Sequence, residues 1–246
     1  MHAYAMGYSR ENLKMAPLPT MAKTNIIQGM QIQNATSKRD FEPIPDHHND
    51  LVATLKYAWQ MVGRGVHDRR SAFHTPVLST QSRDGPQARV LVLRAADAGT
   101  KILTFHTDTR SAKINEFEAD NRVTLTFYDS ARKTQLRMNG IAKVHINDVL
   151  SDQRWKSSRP SSLRCYLGAQ PGSNSLQPTS GLPRELEERE PEWAELQGAQ
   201  SNFAVLAVSV QRLEWLHLHT GGQRRALFTW TGASDGSECC MQWLNP

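Results

Sequence analysis

Residues 89–113, RVLVLRAADAGTKILTFHTDTRSAK, decide the reading of this chain. The stretch joins two β-strands to a polar, cation-rich turn that opens a helix. Arg89, Arg94, Arg110 and Lys113 supply fixed positive charge, while Thr107, Thr109 and Ser111 supply hydroxyl donors beside the backbone N–H groups of a helix start. Together these make an anion site, and a phosphate ester is the anion that fits best. The competing reading is a solvated basic turn between strand and helix. Short motifs match by chance, so the elements on either side must decide.

Upstream, FHTPVLST (73–80) and ARVLVLR (88–94) read as two β-rich runs joined by RDGPQ, whose Asp84-Gly85 favours a tight turn. Downstream, VTLTFYDS (123–130) and TQLRMNGIAKVH (134–145) are joined by ARK. Within RVLVLR, alternation puts Val90, Val92 and Arg94 on one face and Arg89, Leu91 and Leu93 on the other. Both faces are largely apolar, which predicts a barrel wall that also forms a subunit contact. SAKINEFEADN (111–121) reads as a helix with Ile114 and Phe117 toward the barrel and Glu116 and Glu118 toward water.

Further from the centre, Leu51, Leu55, Trp59 and Val62 recur at helical spacing after a cap at Asn49 or Asp50, predicting a helix over one mouth of the barrel. NDVLSDQRWKSS (147–158) is a second helix, with Asn147 as its cap. Residues 168–184 are rich in Gly, Pro and Ser and read as a flexible loop, a plain linker in preference to an ordered lid. RELEEREPEWAEL (184–196) reads as a charged surface helix interrupted near Pro191. NFAVLAVSVQRLEWLHLH (202–219) is a strand pair or one long bent strand. Residues 1–45 lack sustained periodicity and read as a loosely ordered extension, with NIIQGMQI as a short edge segment and several Met residues as alternative starts. Residues 46–246 then form a single domain.

Composition bounds the function. A length of 246 residues with 39% hydrophobic residues suits one large β domain, and a net charge of +5 does not demand nucleic acid. Three cysteines without CxxC spacing point to a reducing cytoplasm, and no run of about 18 apolar residues predicts a membrane helix. No secretory signal is evident. His217 and His219 alternate on one strand but lack a third ligand, so no metal is expected and surface histidines are the better reading. His47 and His48 read as solvated, and Cys239-Cys240 as buried packing. No GxSxG, Walker loop or GxGxxG is present.

Taken in order, these elements resemble the pyridoxamine 5′-phosphate oxidase-like flavoproteins, from about Phe73 to Pro246 and most strongly between Arg89 and Gly140. The closing LEWLHLHTGGQRRALFTW and MQWLNP look like that family's last strands, ending in Leu-x-Pro. The resemblance implies a mainly β fold, an antiparallel FMN-binding split β-barrel with peripheral helices, working as a homodimer with FMN at the interface. It implies that Arg89, Lys113 and the Arg110-Ser111 pair hold the FMN phosphate, with His106 and Thr107 nearby. The backbone of Val90, Leu91, Val92 and Leu93 would run beside the ring, and Gln135 would approach the cofactor. Arg224 or Arg225 would reach it from the partner subunit, Arg225 being the candidate, though the resemblance does not separate the two.

The same resemblance places Arg94, Trp155 and Arg159 at the substrate, a small anionic or polar molecule. The chain departs from the family at Ala112-Lys113, where Arg-Lys is usual and Arg110 would have to compensate. It departs again at His106, where an aromatic is usual, and at Gln223–Leu227, where a histidine is missing. Trp155 stands where a tyrosine would touch the vitamin phosphate. The expected function is therefore an FMN-dependent oxidoreductase for which a vitamin B6 substrate is doubtful. The alternative is a non-catalytic flavin- or haem-binding or sensing protein of the same fold. A nucleic-acid-binding barrel lacks its aromatic platform.

Overall fold

The computed structural model describes residues 42–230 and 238–246. The expected N-terminal extension and NIIQGMQI fall almost wholly outside the described residues. Helix α1 (Leu51–His67) starts where its cap predicts, the Asp50 carboxylate accepting from the Ala53 N–H at 2.7 Å. Its apolar stripe buries Ala58, Trp59, Met61 and Val62. Among the described residues no helix is long and apolar enough to cross a membrane.

Among the described residues nine strands follow: β1 (Val77–Ser82), β2 (Gly85–Val90), β3 (Leu93–Asp97), β4 (Ile102–Asp108), β5 (Arg122–Asp129), β6 (Thr134–His145), β7 (Phe203–His217), β8 (Arg224–Trp230) and β9 (Cys239–Leu244). Helix α2 (Lys113–Ala119) lies between β4 and β5, and α3 (Val149–Ser157) and α4 (Pro160–Leu163) follow β6. All pairings are antiparallel, in the order β2-β1-β5-β6-β7-β4-β3, with β8 on β7 and β9 on β8. The sheet does not close, because β2 and β3, neighbours in sequence, pair different strands. This is the mainly antiparallel split barrel with flanking helices expected from the resemblance.

Strand β7 organises the sheet. It is one long strand, paired with β6 along its length, with β4 over its first half and with β8 over its second. A single strand serving two partners on one edge must bend, and the bend falls at a bulge between Asn139 and Gly140 that leaves Gln211 unpaired. There a Cβ on Gly140 would stand 2.3 Å from the Ser209 carbonyl oxygen. Gly140→Ala should therefore cost about 1–3 kcal/mol through forced strand separation. An unchanged unfolding midpoint would show that the bulge yields freely.

Four local expectations differ from the structure. RVLVLR is not one strand: β2 ends at Val90 and β3 starts at Leu93, while the Leu91 and Leu93 amides donate to the carbonyls of Pro76 and His74. The chain turns a corner between the two sheet ends here, so Leu93 is fully buried but Val90 is 60% exposed. Helix α3 is capped by Asp148, which accepts from the Ser151 N–H at 2.9 Å, while Asn147 takes φ 50° just before it. RELEEREPEWAEL forms only a 3₁₀ turn at Arg184–Leu186. Arg164 donates to the carbonyls of Leu186, Glu187 and Arg189, groups a helix would have used, and Pro191 bars the helical region at Glu190. Finally, the edge strand β9 leaves Cys240 exposed and Cys239 half-buried.

The apolar residues divide into two clusters. The larger includes Leu78, Phe105, Leu125, Phe127, Trp215 and Phe228. The smaller packs Trp155, Leu163, Tyr166, Leu196 and Phe203 beneath α3 and α4. Loop 168–183 has no regular structure, and the Ala169 N–H donates to the Gly181 carbonyl at 2.8 Å, tying its start to its end.

Candidate functional site

The end of β4 and the start of α2 bring the expected phosphate ligands together in part. Lys113, the first residue of α2, lies with its Nζ 2.6 Å from Ser111 Oγ and 3.1 Å from Thr107 Oγ1. Burial, and then the charge of Arg89, pull the Lys113 pKa down, with Asp108 and Glu116 opposing. Two cations held close in a hydroxyl-lined, half-buried corner are poised for an anion.

Arg89 reaches this corner from β2, but it already has a carboxylate. Its Nη2 stands 2.7 Å from Glu116 Oε2, and its other amino group donates to Thr80. Glu116 was expected to face water. Instead its side chain is only 10% exposed, because the same turn of α2 that buries Phe117 brings Glu116 over the β1–β2 hairpin. Arg110 does not join Lys113 either. It pairs with both Asp108 oxygens, at 2.7 and 3.0 Å, and donates to the Gly168 carbonyl at 3.0 Å, so it ties the long loop to β4. It therefore does not replace the cation missing at Ala112.

His106 lies next in β4, its ring 4.9 Å from that of Phe203. Its Nε2 and the Nε of Arg94 are both buried without a hydrogen-bond partner among the described residues. Burial, helped by Arg94 and Arg154, lowers the His106 pKa to about 3, so the ring is neutral and can donate or accept. Unsatisfied buried nitrogen atoms of this kind call for a polar occupant.

Gln135 and Arg225 form a second group. They flank Leu216 on β6 and β8, and two residues along, Glu214 is 3% exposed between Arg137 at 2.7 Å and Arg225 at 2.9 Å. Burial pushes the Glu214 pKa up, but hydrogen bonds from Arg225 and Arg137 hold it below the usual range. Direct pairing runs across the sheet from Val90 through Val77, Thr126 and Arg137 to Glu214, so all of them share one face. Arg89 alternates to the opposite face, toward buried Leu78. The two halves of the expected site thus stand on opposite faces of one chain. Sequence reasoning missed Glu116, Arg137 and Glu214; a lone acid in the apolar run RLEWL was the available signal.

The expected substrate residues separate. Trp155 is 5% exposed, its ring 5.3 Å from Phe203 and 6.2 Å from Tyr166, and belongs to the smaller core. Arg159 is exposed just before α4. Of the three, Arg94 alone stands near another expected site residue, its charge acting on His106.

The histidines differ most from expectation. His48, read as solvated, and His217, read as a surface residue, are 4% and 6% exposed and 4.4 Å apart, because the 3₁₀ turn Asp46–Asn49 folds onto the end of β7. No three His, Cys, Asp or Glu side chains among the described residues stand so as to hold a metal. Burial, then His217, His47 and His219, lower the His48 pKa to about 4. Since the folded state holds His48 and His106 below the ordinary 6.5, unfolding takes up protons as pH falls. Stability should be full above about pH 6.5 and decline toward pH 4 and 3, with His48 accounting for at most about 3 kcal/mol. Denaturation followed from pH 7 to 4 checks this, and a flat profile across that window refutes it.

Comparison with known proteins bears on this geometry. Residues 56–146, from α1 to the end of β6, match the pyridoxamine 5′-phosphate oxidase FMN-binding domain. The structure is similar to a pyridoxamine 5′-phosphate oxidase-related, FMN-binding protein of Nostoc punctiforme PCC 73102, with 22% identity and a TM-score of 0.61 over 78% of this chain and 97% of that one. It is also similar to PhzG from Burkholderia lata 383, solved in complex with tetrahydrophenazine-1-carboxylic acid, with 16% identity and a TM-score of 0.57 over 84% and 99%. At such identities the likeness shows the fold alone. No curated protein matches the chain in sequence.

Proposed function

We propose that this chain, whose residues 56–146 carry the FMN-binding domain of the pyridoxamine 5′-phosphate oxidase family, binds FMN as a homodimer and acts as an FMN-dependent oxidoreductase. The observation that carries the reading is the corner in which Lys113, Thr107 and Ser111 converge beside Arg89. It fits a terminal phosphate monoester: Lys113 offers a point charge, Ser111 and Thr107 offer hydroxyls, and Arg89 can turn from Glu116 to the phosphate.

Beside that corner, the backbone from Val90 to Leu93 would border the ring, and the unpartnered nitrogen atoms of Arg94 and His106 would meet its polar edge or the substrate. Gln135 and Arg225 would come from the second copy. The dimer reading is supported by their place on the face opposite Arg89, and by the exposure of Val90 on that same face. Bound FMN would supply hydride acceptance, leaving the chain to position substrate and exclude water. With Trp155 enclosed in a core, the substrate side keeps cationic Arg94 near His106, which favours a small anionic or polar donor other than pyridoxamine 5′-phosphate. A cytoplasmic location belongs to the same reading.

The purified protein should be yellow, or should turn yellow on adding FMN, with one FMN per chain and a dimeric mass by light scattering. A colourless protein that takes up no FMN overturns the reading. Anaerobic reduction of the bound flavin by a donor, followed by reoxidation in air, would distinguish an enzyme from a carrier.

A further inference from the structure

Of the seven buried side-chain nitrogen atoms without a partner among the described residues, five sit in one place: His47 Nε2, both nitrogens of His48, His217 Nδ1 and Trp215 Nε1. Folded proteins rarely leave such groups unmade. The rings are in mutual contact: His48 lies 4.3 Å from His47, 4.4 Å from His217 and 4.8 Å from Trp215. His47, His48 and His217, with His219, line a pocket of about 280 Å³ whose rim carries Lys133 and Thr134. The cluster lies behind the sheet from Gln135 and Arg225, since His217 pairs Thr134 and Arg224 one residue beyond them.

The chemistry of the lining selects the occupant. His219 Nδ1 accepts from the Gly221 N–H at 2.9 Å, which leaves its Nε2 as the protonated donor. A neutral His48 donates from one nitrogen and accepts at the other, so with His219 the lining presents imidazole N–H donors. Around it stand Arg132 and Lys133 from the β5–β6 turn and Arg224 from β8, against Glu42. Asp129 neutralises Arg132 at 2.7 Å. The remaining balance is positive, and with no three metal-ligating groups in place, a cation is disfavoured.

We propose that this histidine-lined pocket binds a small oxyanion, a carboxylate or phosphate group, at a site separate from the Lys113 corner. The imidazole N–H groups would grip its oxygens, and Lys133 would supply the charge.

The test uses the full-length Lys113→Ala protein, so that the other anion corner does not contribute, titrated separately with inorganic phosphate and with acetate while the histidine ring resonances are followed by NMR. Saturable shifts of the His48 and His217 resonances with either anion support the proposal, and the anion that acts identifies the class. His48→Phe, which keeps the ring volume, and His217→Gln should each weaken binding at least about tenfold, as expected for a lost charge-assisted hydrogen bond. Absence of saturable shifts with both anions, meaning that water alone satisfies the cluster, overturns it. So do shifts produced only by zinc or nickel ions, or binding that survives both substitutions. None of these readouts depends on FMN binding.

Discussion

Trp155→Ala should destabilise the protein by about 3–5 kcal/mol, the usual cost of emptying a large aromatic site. The reason is packing: Trp155 is enclosed by Phe203, Tyr166 and Leu163 and joins α3 to the first strand residue of β7. At roughly 2–4 °C per kcal/mol for a chain of this size, the melting temperature should fall by about 6–20 °C. Trp155→Phe should recover most of the loss, since it restores much of the buried ring. Thermal unfolding of the two variants decides between a core residue and a substrate contact. A stable Trp155→Ala protein with altered substrate selectivity would show that Trp155 meets substrate after all.

Lys113→Ala should weaken FMN binding by about 10- to 150-fold, or about 1.5–3 kcal/mol, the worth of hydrogen bonds to a charged group. The loss falls on binding and not on folding, because the Lys113 ammonium contacts only the hydroxyls of Thr107 and Ser111 and is already disfavoured by burial and by Arg89. Flavin fluorescence titration against the parent protein measures it. Affinity unchanged within twofold would remove Lys113 from the cofactor site. An equal loss for riboflavin, which lacks the phosphate, would place Lys113 elsewhere on the flavin.

Both expectations show how far the sequence could be read. The strands around residues 89–113, the helix over 51–67 and the apolar pair Ile114 and Phe117 follow from alternation and helical spacing, which are written locally as periods of two and 3.6 residues. The cluster of Lys113, Thr107 and Ser111 was legible for the same reason, since six residues separate its ends. Helix-forming composition was outweighed in RELEEREPEWAEL because Arg164, some twenty residues earlier, takes the carbonyls of that segment.

What the sequence determined by itself is therefore the antiparallel β fold, its turns and the corner of Lys113, Thr107 and Ser111, read from local periodicity, close spacing and the order of the elements. The tertiary structure decided which charge each arginine meets: Arg89 with Glu116 across 27 residues, Arg137 with Glu214 across 77, and Arg110 with the long loop across 58. It also decided that Trp155 is core and that His48 is buried against His217. Those outcomes depend on which faces of distant strands and helices come together, and no local periodicity records that: a polar side chain is drawn inward only where a partner from elsewhere in the chain, or a ligand, offsets the cost of leaving water.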